Sequence, residues 1–328
     1  MRPQPTSSSA QRGVALIMAI LIVALATILA VSVTSDGYMD QRRTGMALSI
    51  DQAYEAALGG EAEAAEALEI DYQSKAGQDV DGLFEDWARS VVLPIEDYGE
   101  LRGNLEDLQG RFNLNNLVNS NGTANQVARD QLTTLLESLN IDNRWAGIIG
   151  DWIDADNNPD TLAGAEDSIY SLRTPAYLTA NRPILHTSEL LSLVDGSGKP
   201  FGINNYLTLE PFVAALPIGT PLNVCTARGK VLDSLVPLHQ EYSSQTGETI
   251  LAENRKTACF PKVSDVVAAL KPYDKDFESK HGHDLAQNSN YFRANILVTL
   301  GTTELAMYSV LQRNSGKTQV ISRSFGSP

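Results

Sequence analysis

The feature that most constrains this chain is an uncharged apolar stretch near its amino terminus, residues 14–33, which reads VALIMAILIVALATILAVSV. At 1.5 Å of rise per residue, a helix of this length spans about 30 Å, the thickness of the hydrocarbon core of a bilayer. The stretch therefore predicts a single transmembrane helix over residues 14–33. Apolar residues keep recurring at helical spacing to about residue 70, so we expect the helix to continue outside the membrane.

The short segment before this stretch carries Arg2 and Arg12 and no acidic residue. Positively charged flanks of a membrane span stay mainly on the cytoplasmic side. We therefore predict a single-pass protein of the cell inner membrane. Its amino terminus would lie in the cytoplasm, and everything after Ser35 would lie in the periplasm.

Three interpretations compete for the amino terminus. A cleaved secretory signal peptide needs a shorter apolar region and a small-residue cleavage site, and the following SDGYMDQRR fits this poorly. An uncleaved signal anchor fits the apolar stretch but leaves the junction of Arg12 and Gly13 unexplained. A prepilin-like leader places a glycine directly before the apolar helix, which predicts cleavage between Gly13 and Val14.

The rest of the chain is long and acidic, with 328 residues in all and a formal net charge of −15. This charge repels phosphate backbones and argues against nucleic acid as a partner, while it favours solubility or a cationic partner. The two cysteines are Cys225 and Cys259. A disulfide between them is the simplest interpretation for a periplasmic domain, whereas two buried free thiols would fit a cytosolic one.

The order of segments predicts an α+β protein whose antiparallel sheet domain is interrupted by a large all-α insert. Strand-like alternation occurs before the insert and returns only in YFRANILVTLGTTELAMYSVLQR and TQVISRSF. A short helix is expected at Leu83 to Ser90, and Gly59-Gly60 is a possible bend in the long helix. The predicted parts are a leader (1–13), the long helix (14–70), a first sheet segment (71–112), the insert (113–285) and a second sheet segment (286–328).

Five segments of the insert show apolar residues at intervals of three and four, which is typical of helices. They read VARDQLTTLLESL, RWAGIIGDWID, SELLSLV, RGKVLDSLVP and VSDVVAALKP. No nucleophile elbow, zinc-protease, P-loop or dinucleotide motif occurs, and the four histidines have no evident catalytic partner. The sequence therefore indicates a protein that is not an enzyme.

Oxygen-bearing side chains alternate along IDADNNPD and resume shortly after it. Such alternation resembles the start of a calcium loop, since Ca²⁺ takes six to eight oxygen ligands. An EF-hand is excluded, because Pro159 stands where the loop glycine belongs. The alternative interpretation is a solvated turn rich in Asx residues. The candidate ligands are Asp154, Asp156, Asn158, Asp160, Glu166 and Asp167.

Several motifs in this order are similar to those of one family: RGVALI, LQGRFNLNNL, DWIDADNNPD followed by GAEDSIY, and PLNVCTARGKVLDSL. Together they resemble the K-type minor pseudopilins of type II secretion systems, over most of the chain. Pilin-like subunits usually carry a glutamate at the fifth mature position, where this chain has Met18, and the K-type family typically lacks that acid. The resemblance implies a pilin-like fold with an insert of two SAM-like parts, about 113–212 and 213–285.

The resemblance also implies a role at the tip of the pseudopilus, where the bulky insert would prevent another subunit from stacking above this one. A tip complex of minor pseudopilins would help to initiate assembly of the pseudopilus and the export of folded proteins. The implied partners are the I- and J-type minor pseudopilins, the H-type and major pseudopilins, and the prepilin peptidase, which would also methylate Val14. Calcium binding in the helical insert is a further implication. Two alternatives stay open, namely a signal-anchored periplasmic binding module and a minor pilin of a type IV pilus.

Overall fold

The computed structural model describes residues 11–74, 78–95, 99–159, 164–237, 242, 256–257 and 259–326. Helix α1 spans Gln11–Gln73 as one continuous element of 63 residues. It continues through Gly59 and Gly60, where a bend was expected. The reason for a glycine here is close packing, because an added Cβ at Gly60 would lie 2.8 Å from Cδ1 of Leu101 on the sheet.

Five strands form an antiparallel sheet that packs one face against the second half of α1. Side chains alternate along each strand, so one set of residues faces α1 and the other faces away. Phe292, Val298 and Leu311 are fully buried on the α1 side, against Ala57 and Leu68 of the helix. In sheet order the strands are β1 (Val91–Ile95), β2 (Gly99–Asp107), β7 (Tyr291–Leu300), β8 (Thr303–Asn314) and β9 (Lys317–Phe325).

The chain leaves the sheet after β2 and returns to it at β7, and the intervening insert has its own apolar core. In that core Trp145 meets Phe201 edge to face with ring centroids 5.0 Å apart. The described α-helices of the insert are α2 (Gln126–Ser138), α3 (Trp145–Ile153), α4 (Asp167–Tyr170), α5 (Ile203–Leu209), α6 (Gly229–Asp233), α7 (Val263–Leu270) and α8 (Phe277–His281). The α+β fold class predicted from the sequence is therefore confirmed.

Three local predictions differ from the structure. The insert is helical as expected but also contains two parallel pairs of two-residue strands. SELLSLV folds as a 3-10 helix, Thr187–Ser192, and the short helix expected at Leu83 to Ser90 is reduced to the 3-10 turn Asp86–Ala88. Strands of two residues have no periodicity to detect, and single turns are decided by tertiary contacts. The strand pairs are β3 (Phe112–Asn113) with β4 (Val213–Ala214), and β5 (Leu222–Asn223) with β6 (Leu285–Ala286).

A buried carboxylate fixes the insert to the sheet at the point where β2 ends. Asp107 accepts hydrogen bonds from the Thr226 hydroxyl at 2.5 Å, the Ser289 hydroxyl at 2.7 Å and the Asn223 amide at 2.9 Å. These three donors come from the insert and from the segment that returns to the sheet. The junction is therefore polar and directional, so the insert has a defined orientation on the sheet.

Candidate functional site

Three carboxylates of the insert converge where α3 ends. Ligand oxygens of Asp154, Asp156 and Glu166 all lie within 4.8 Å of one another. We call these three residues the insert acid cluster. Asp154 and Glu166 are buried at 7% and 2% exposure, while Asp156 is exposed. The cluster is thus a half-open pocket of negative charge at the surface of the insert.

Local backbone geometry explains why these residues meet. Helix α3 ends at Ile153, and its C-cap Asp154 turns out of the helix with extended backbone angles. The carboxylate of Asp156 then accepts a hydrogen bond from the backbone N–H of Asn158 at 2.8 Å, which closes a tight Asx turn. Glu166 is also extended and directly precedes α4. The described residues on both sides of this loop therefore meet at the end of α3.

The electrostatics of the cluster are unfavourable without a cation. Burial, followed by the neighbouring Asp151 and Asp154 carboxylates, raises the pKa of Glu166 to about 7. Both carboxylate oxygens of Glu166 are buried, and neither has a hydrogen-bond partner in the described part of the chain. The nearby Thr179 hydroxyl lowers that pKa, and it donates its hydrogen bond to Asp167. A buried carboxylate without donors is the arrangement expected of a cation ligand.

The other predicted ligands have different environments. Asp167 faces Thr179, whose backbone N–H and hydroxyl both donate to its Oδ1, at 2.9 and 2.6 Å. Asn158 contributes its backbone N–H to the Asx turn. Asp160 lies outside the described residues. The structure therefore brings together three of the six predicted ligands.

Two further residues lie at this site outside the six candidate ligands: Asp151 belongs to the same acidic segment, DWIDADNNPD, whereas Asn181 has no local sequence signal. Asp151, one turn before Asp154 on α3, is fully buried and raises the pKa of Glu166. Asn181 donates its backbone N–H to the Trp152 carbonyl and its side-chain amide to Asn157, at 3.1 and 3.2 Å. Its Oδ1 is buried without a hydrogen-bond partner among the described residues. Asn181 thus brings a carbonyl oxygen against the acidic loop from a distant segment.

A second group of three carboxylates has a different role. Oxygens of Asp71, Asp81 and Glu85 also lie within 4.8 Å of one another, and we call these the junction acid cluster. Here the Arg313 guanidinium donates to both oxygens of Asp81 at 2.6 Å and to Asp71 at 3.1 Å. Burial, opposed chiefly by Arg313, raises the pKa of Asp81 to about 7. This cluster already contains its cation, which belongs to the protein.

In the described part of the chain, the amino-terminal half of α1 is exposed from Gly13 onward. Among the described helices, α1 alone is long and apolar enough to cross a membrane, and none of its apolar stretch is buried. The bond between Gly13 and Val14 lies in the first turns of this helix. An added Cβ at Gly13 would meet nothing within 4 Å, so packing does not explain the glycine.

The two cysteines form a disulfide. Cys225 is bonded to Cys259, with their Cα atoms 4.6 Å apart and a sequence separation of 34. Both are buried in the core of the insert. In the chain-entropy model a cross-link of this loop length stabilises the fold by about 3–4 kcal/mol.

The family model and the relatives that match this chain carry the same description. The family model for type II secretion system protein K matches residues 110–218. The type II secretion system protein K of Pseudomonas aeruginosa is 35% identical over 326 residues, covering 96% of this chain and 93% of the relative. The protein of the same description from Pectobacterium carotovorum is 30% identical over 332 residues, covering 97% of each.

The fold agrees with this similarity. A chain in the crystal structure of the GspK-GspI-GspJ complex from the enterotoxigenic Escherichia coli type 2 secretion system matches with a TM-score of 0.74 and 25% identity, covering 87% of this chain and 100% of that one. Relatives of this identity span nearly the whole sequence, and the motifs that suggested a K-type protein lie within the matched range. The chain therefore belongs to the type II secretion system protein K family, the minor pseudopilins of type II secretion.

Proposed function

We propose that this chain acts at the tip of the type II secretion pseudopilus, in a complex with the I- and J-type minor pseudopilins. There it helps to initiate the filament that moves folded proteins across the outer membrane. Its apolar helix anchors it in the inner membrane, with the amino terminus in the cytoplasm and the bulk of the chain in the periplasm. The observation that carries this proposal is the exposed half of α1.

Helix α1 projects far beyond the sheet. Residues 13–52 are exposed almost throughout. The part that follows the apolar stretch, residues 34–52, is roughly 28 Å long at the rise of 1.5 Å per residue of an α-helix. Within this part Tyr38, Met46, Leu48 and Ile50 are 46–69% exposed. Large apolar side chains on a helix outside a bilayer need another surface to cover them. Helices of neighbouring subunits provide such a surface, and the matched solved chain belongs to a complex with I and J proteins.

The insert supports the proposed tip position. It has its own apolar core and is joined to the sheet by the buried hydrogen bonds at Asp107. A body of this size beside the sheet domain would obstruct a further subunit on the same side. Further subunits, the H-type and major pseudopilins, would therefore be added only on the side opposite the insert.

Maturation is part of the same proposal. The prepilin peptidase would cleave between Gly13 and Val14 and methylate the new amino terminus. The intact mass of the chain from its native membrane would then correspond to residues 14–328, with or without one methyl group. A mass that retains residues 1–13, from cells with active peptidase, contradicts the proposal and favours a signal-anchored binding module.

Charges placed on the exposed part of α1 test the partner surface. Met46→Glu with Ile50→Glu should abolish co-purification with the I- and J-type proteins and stop secretion, because both side chains lie on one helix face. The matched control is Gln41→Glu with Gln52→Glu, which adds the same charge at exposed polar positions of the helix. Equal loss in both variants would indicate a general charge effect and contradict a specific surface.

Immunogold labelling tests the tip position directly. An epitope tag at the carboxyl terminus should be found at one end of isolated pseudopili. Labelling along the length of the filament would contradict a tip role and favour the behaviour of an ordinary pilus subunit, as in a type IV pilus.

We also propose that the insert acid cluster binds Ca²⁺. Asp154, Asp156 and Glu166 would hold the ion, with Asp151 and Asn181 close by, and the ion would neutralise carboxylates that the fold brings together. Ca²⁺ suits this set because it accepts several oxygen ligands in irregular geometry, whereas Mg²⁺ requires a near-ideal octahedron. Its role would be to fix the loop between α3 and α4.

Calorimetry on the purified full chain tests this site. Wild type should bind Ca²⁺ and gain thermal stability over the chelator-treated protein, by several degrees. Asp154→Asn should weaken binding at least about tenfold, since it removes a charged ligand. Asp142→Asn, at an exposed acid that pairs with Arg144, is the matched control and should bind like wild type. Absence of binding by wild type at millimolar Ca²⁺ would refute the site.

A further inference from the structure

A single guanidinium lies against the insert acid cluster. Arg129 is in the first turn of α2, is only 9% exposed, and places Nη2 3.7 Å from Oδ2 of Asp154. Its side chain passes directly over Gly150 of α3, where an added Cβ would lie 2.7 Å from Nη2 and 2.9 Å from Cζ. The glycine therefore makes room for the guanidinium, and α2 and α3 together hold it beside the site.

The charges around this guanidinium do not balance. Asp151, Asp154 and Glu166 are buried, and Asp156 lies at the rim of the same cluster. Among the described residues, Arg129 is the cation that pairs with this cluster, so four acids share one guanidinium in a poorly hydrated position. At the junction acid cluster, by contrast, Arg313 bonds Asp81 at 2.6 Å through both oxygens. The longer distance of 3.7 Å at Asp154 shows a looser pairing.

We propose that Arg129 is an internal counter-ion that sets the Ca²⁺ affinity of the insert: it stabilises the acid cluster when the metal is absent and opposes the metal when it binds. This inference rests on the cation site proposed above. The physical reason is that the guanidinium and Ca²⁺ are attracted by the same carboxylates and repel each other across a few ångströms. Arg129 is thus a positioning residue and not a ligand.

The proposal makes two linked statements. Removal of the guanidinium charge should raise the affinity for Ca²⁺, because the repulsion disappears. The same change should lower the stability of the metal-free chain, because the buried acids lose their only nearby cation among the described residues. A purely structural arginine would lower stability with and without metal and would not improve binding.

The test compares Arg129→Gln, Arg129→Lys and wild type as purified full chains. The readouts are the Kd for Ca²⁺ by calorimetry and the Tm in chelator and in Ca²⁺. Arg129→Gln should bind Ca²⁺ about tenfold more tightly and melt about 3 °C lower in chelator. Arg129→Lys keeps the charge and should remain within about twofold of the wild-type Kd. Arg144 is an exposed arginine at the start of α3, so Arg144→Gln should have the Kd and Tm of wild type.

A second variant covers the case in which Arg129→Gln does not fold. Gly150→Ala would displace the guanidinium without removing it, and it should also tighten Ca²⁺ binding, by a smaller factor. Unchanged or weaker binding in these variants, while wild type binds Ca²⁺, would overturn the role of Arg129 and leave the cation site intact. Absence of Ca²⁺ binding by wild type would overturn both.

Discussion

The two acid clusters of this molecule have the same composition and opposite chemistry. Each brings three carboxylates within 4.8 Å, one at the junction of sheet and insert and the other at the surface of the insert. The junction acid cluster surrounds Arg313, which is about 2% exposed and donates to two of its acids. Among the described residues, the insert acid cluster pairs with Arg129, whose Nη2 lies 3.7 Å from Oδ2 of Asp154. The number of acids therefore does not identify a metal site, and the decisive feature is how closely the protein supplies its own cation.

The difference follows from what each cluster must do. At the junction, Arg313 also donates to the Ser289 carbonyl at 2.9 Å and stacks over Tyr72 and Phe292. It therefore links the end of α1, the sheet and the returning chain in one permanent contact. The insert acid cluster joins the end of α3 to the residue before α4, and in the proposed calcium site an exchangeable ion would hold these two points together.

The largest effect is expected from breaking the junction pair. Arg313→Met should destabilise the chain by about 3–5 kcal/mol, because Asp81 is left buried without its partner. Addition of Ca²⁺ should not restore the loss, since this cluster is built for a guanidinium. The measurement is the urea midpoint of the detergent-solubilised full chain, followed by tryptophan fluorescence.

Arg102→Met is the control for this prediction. Arg102 pairs with Glu100 on the same sheet but is 61% exposed, so its loss should change stability by less than about 1 kcal/mol. Similar urea midpoints for Arg313→Met and Arg102→Met would mean that the junction pair contributes no more than a surface pair.

The junction acid cluster should also contribute to the pH dependence of stability, through the titration of Asp81. Burial raises the pKa of Asp81 from 3.8 to about 7 in the folded chain. A carboxyl group with a raised pKa binds its proton more tightly when folded, so its contribution to stability falls as the pH rises from about 4 to about 7. The slope is at most about 1.4 kcal/mol per pH unit for one proton.

Asp81→Asn removes this titration. Other acids have opposite slopes, because hydrogen bonds and charge from arginine lower the pKa of Glu61 and Glu106 against the effect of burial. The useful quantity is therefore the difference in free energy of unfolding between wild type and Asp81→Asn, measured at intervals from pH 5 to pH 8. We expect this difference to shrink as the pH rises to 7. A constant difference would show that Asp81 does not change protonation in this range.

In the insert acid cluster, removal of a charged group should stabilise the metal-free chain, whereas removal of Arg313 from the junction should destabilise it. Glu166→Gln should stabilise the chelator-treated chain by about 1 kcal/mol at pH 8, because it removes a buried charge beside Asp151 and Asp154. It should also reduce the gain in Tm on adding Ca²⁺. Glu137→Gln, on the exposed side of α2, is the matched control and should change neither value. A destabilised Glu166→Gln in chelator would contradict the view that this acid is unsatisfied without a cation.

The sequence was sufficient for the long elements and insufficient for the contacts between them. Apolar periodicity located α2, α3 and α7, and alternation located β7 to β9, because each extends over eight or more residues. Acids at alternate positions located Asp154 and Asp156 in the same way. Arg129 and Asn181 lie 25 and 27 positions from Asp154 and reach the site only through tertiary packing. The same applies to Arg313 and Asp81, whose pairing spans 232 positions.

The smallest expected effect concerns Asn181 and would sharpen the ligand set. Its backbone has a φ of 45°, in the left-handed region that glycine also tolerates, so Asn181→Gly should remove the side-chain oxygen at little backbone cost. We expect the affinity for Ca²⁺ to fall by about fivefold, because one neutral oxygen contact is lost. The Tm in chelator should not change. Asn157→Gly is the control, since it removes the amide that Asn181 contacts and leaves the buried Oδ1 in place. Equal affinity in wild type and Asn181→Gly would restrict the site to the carboxylates.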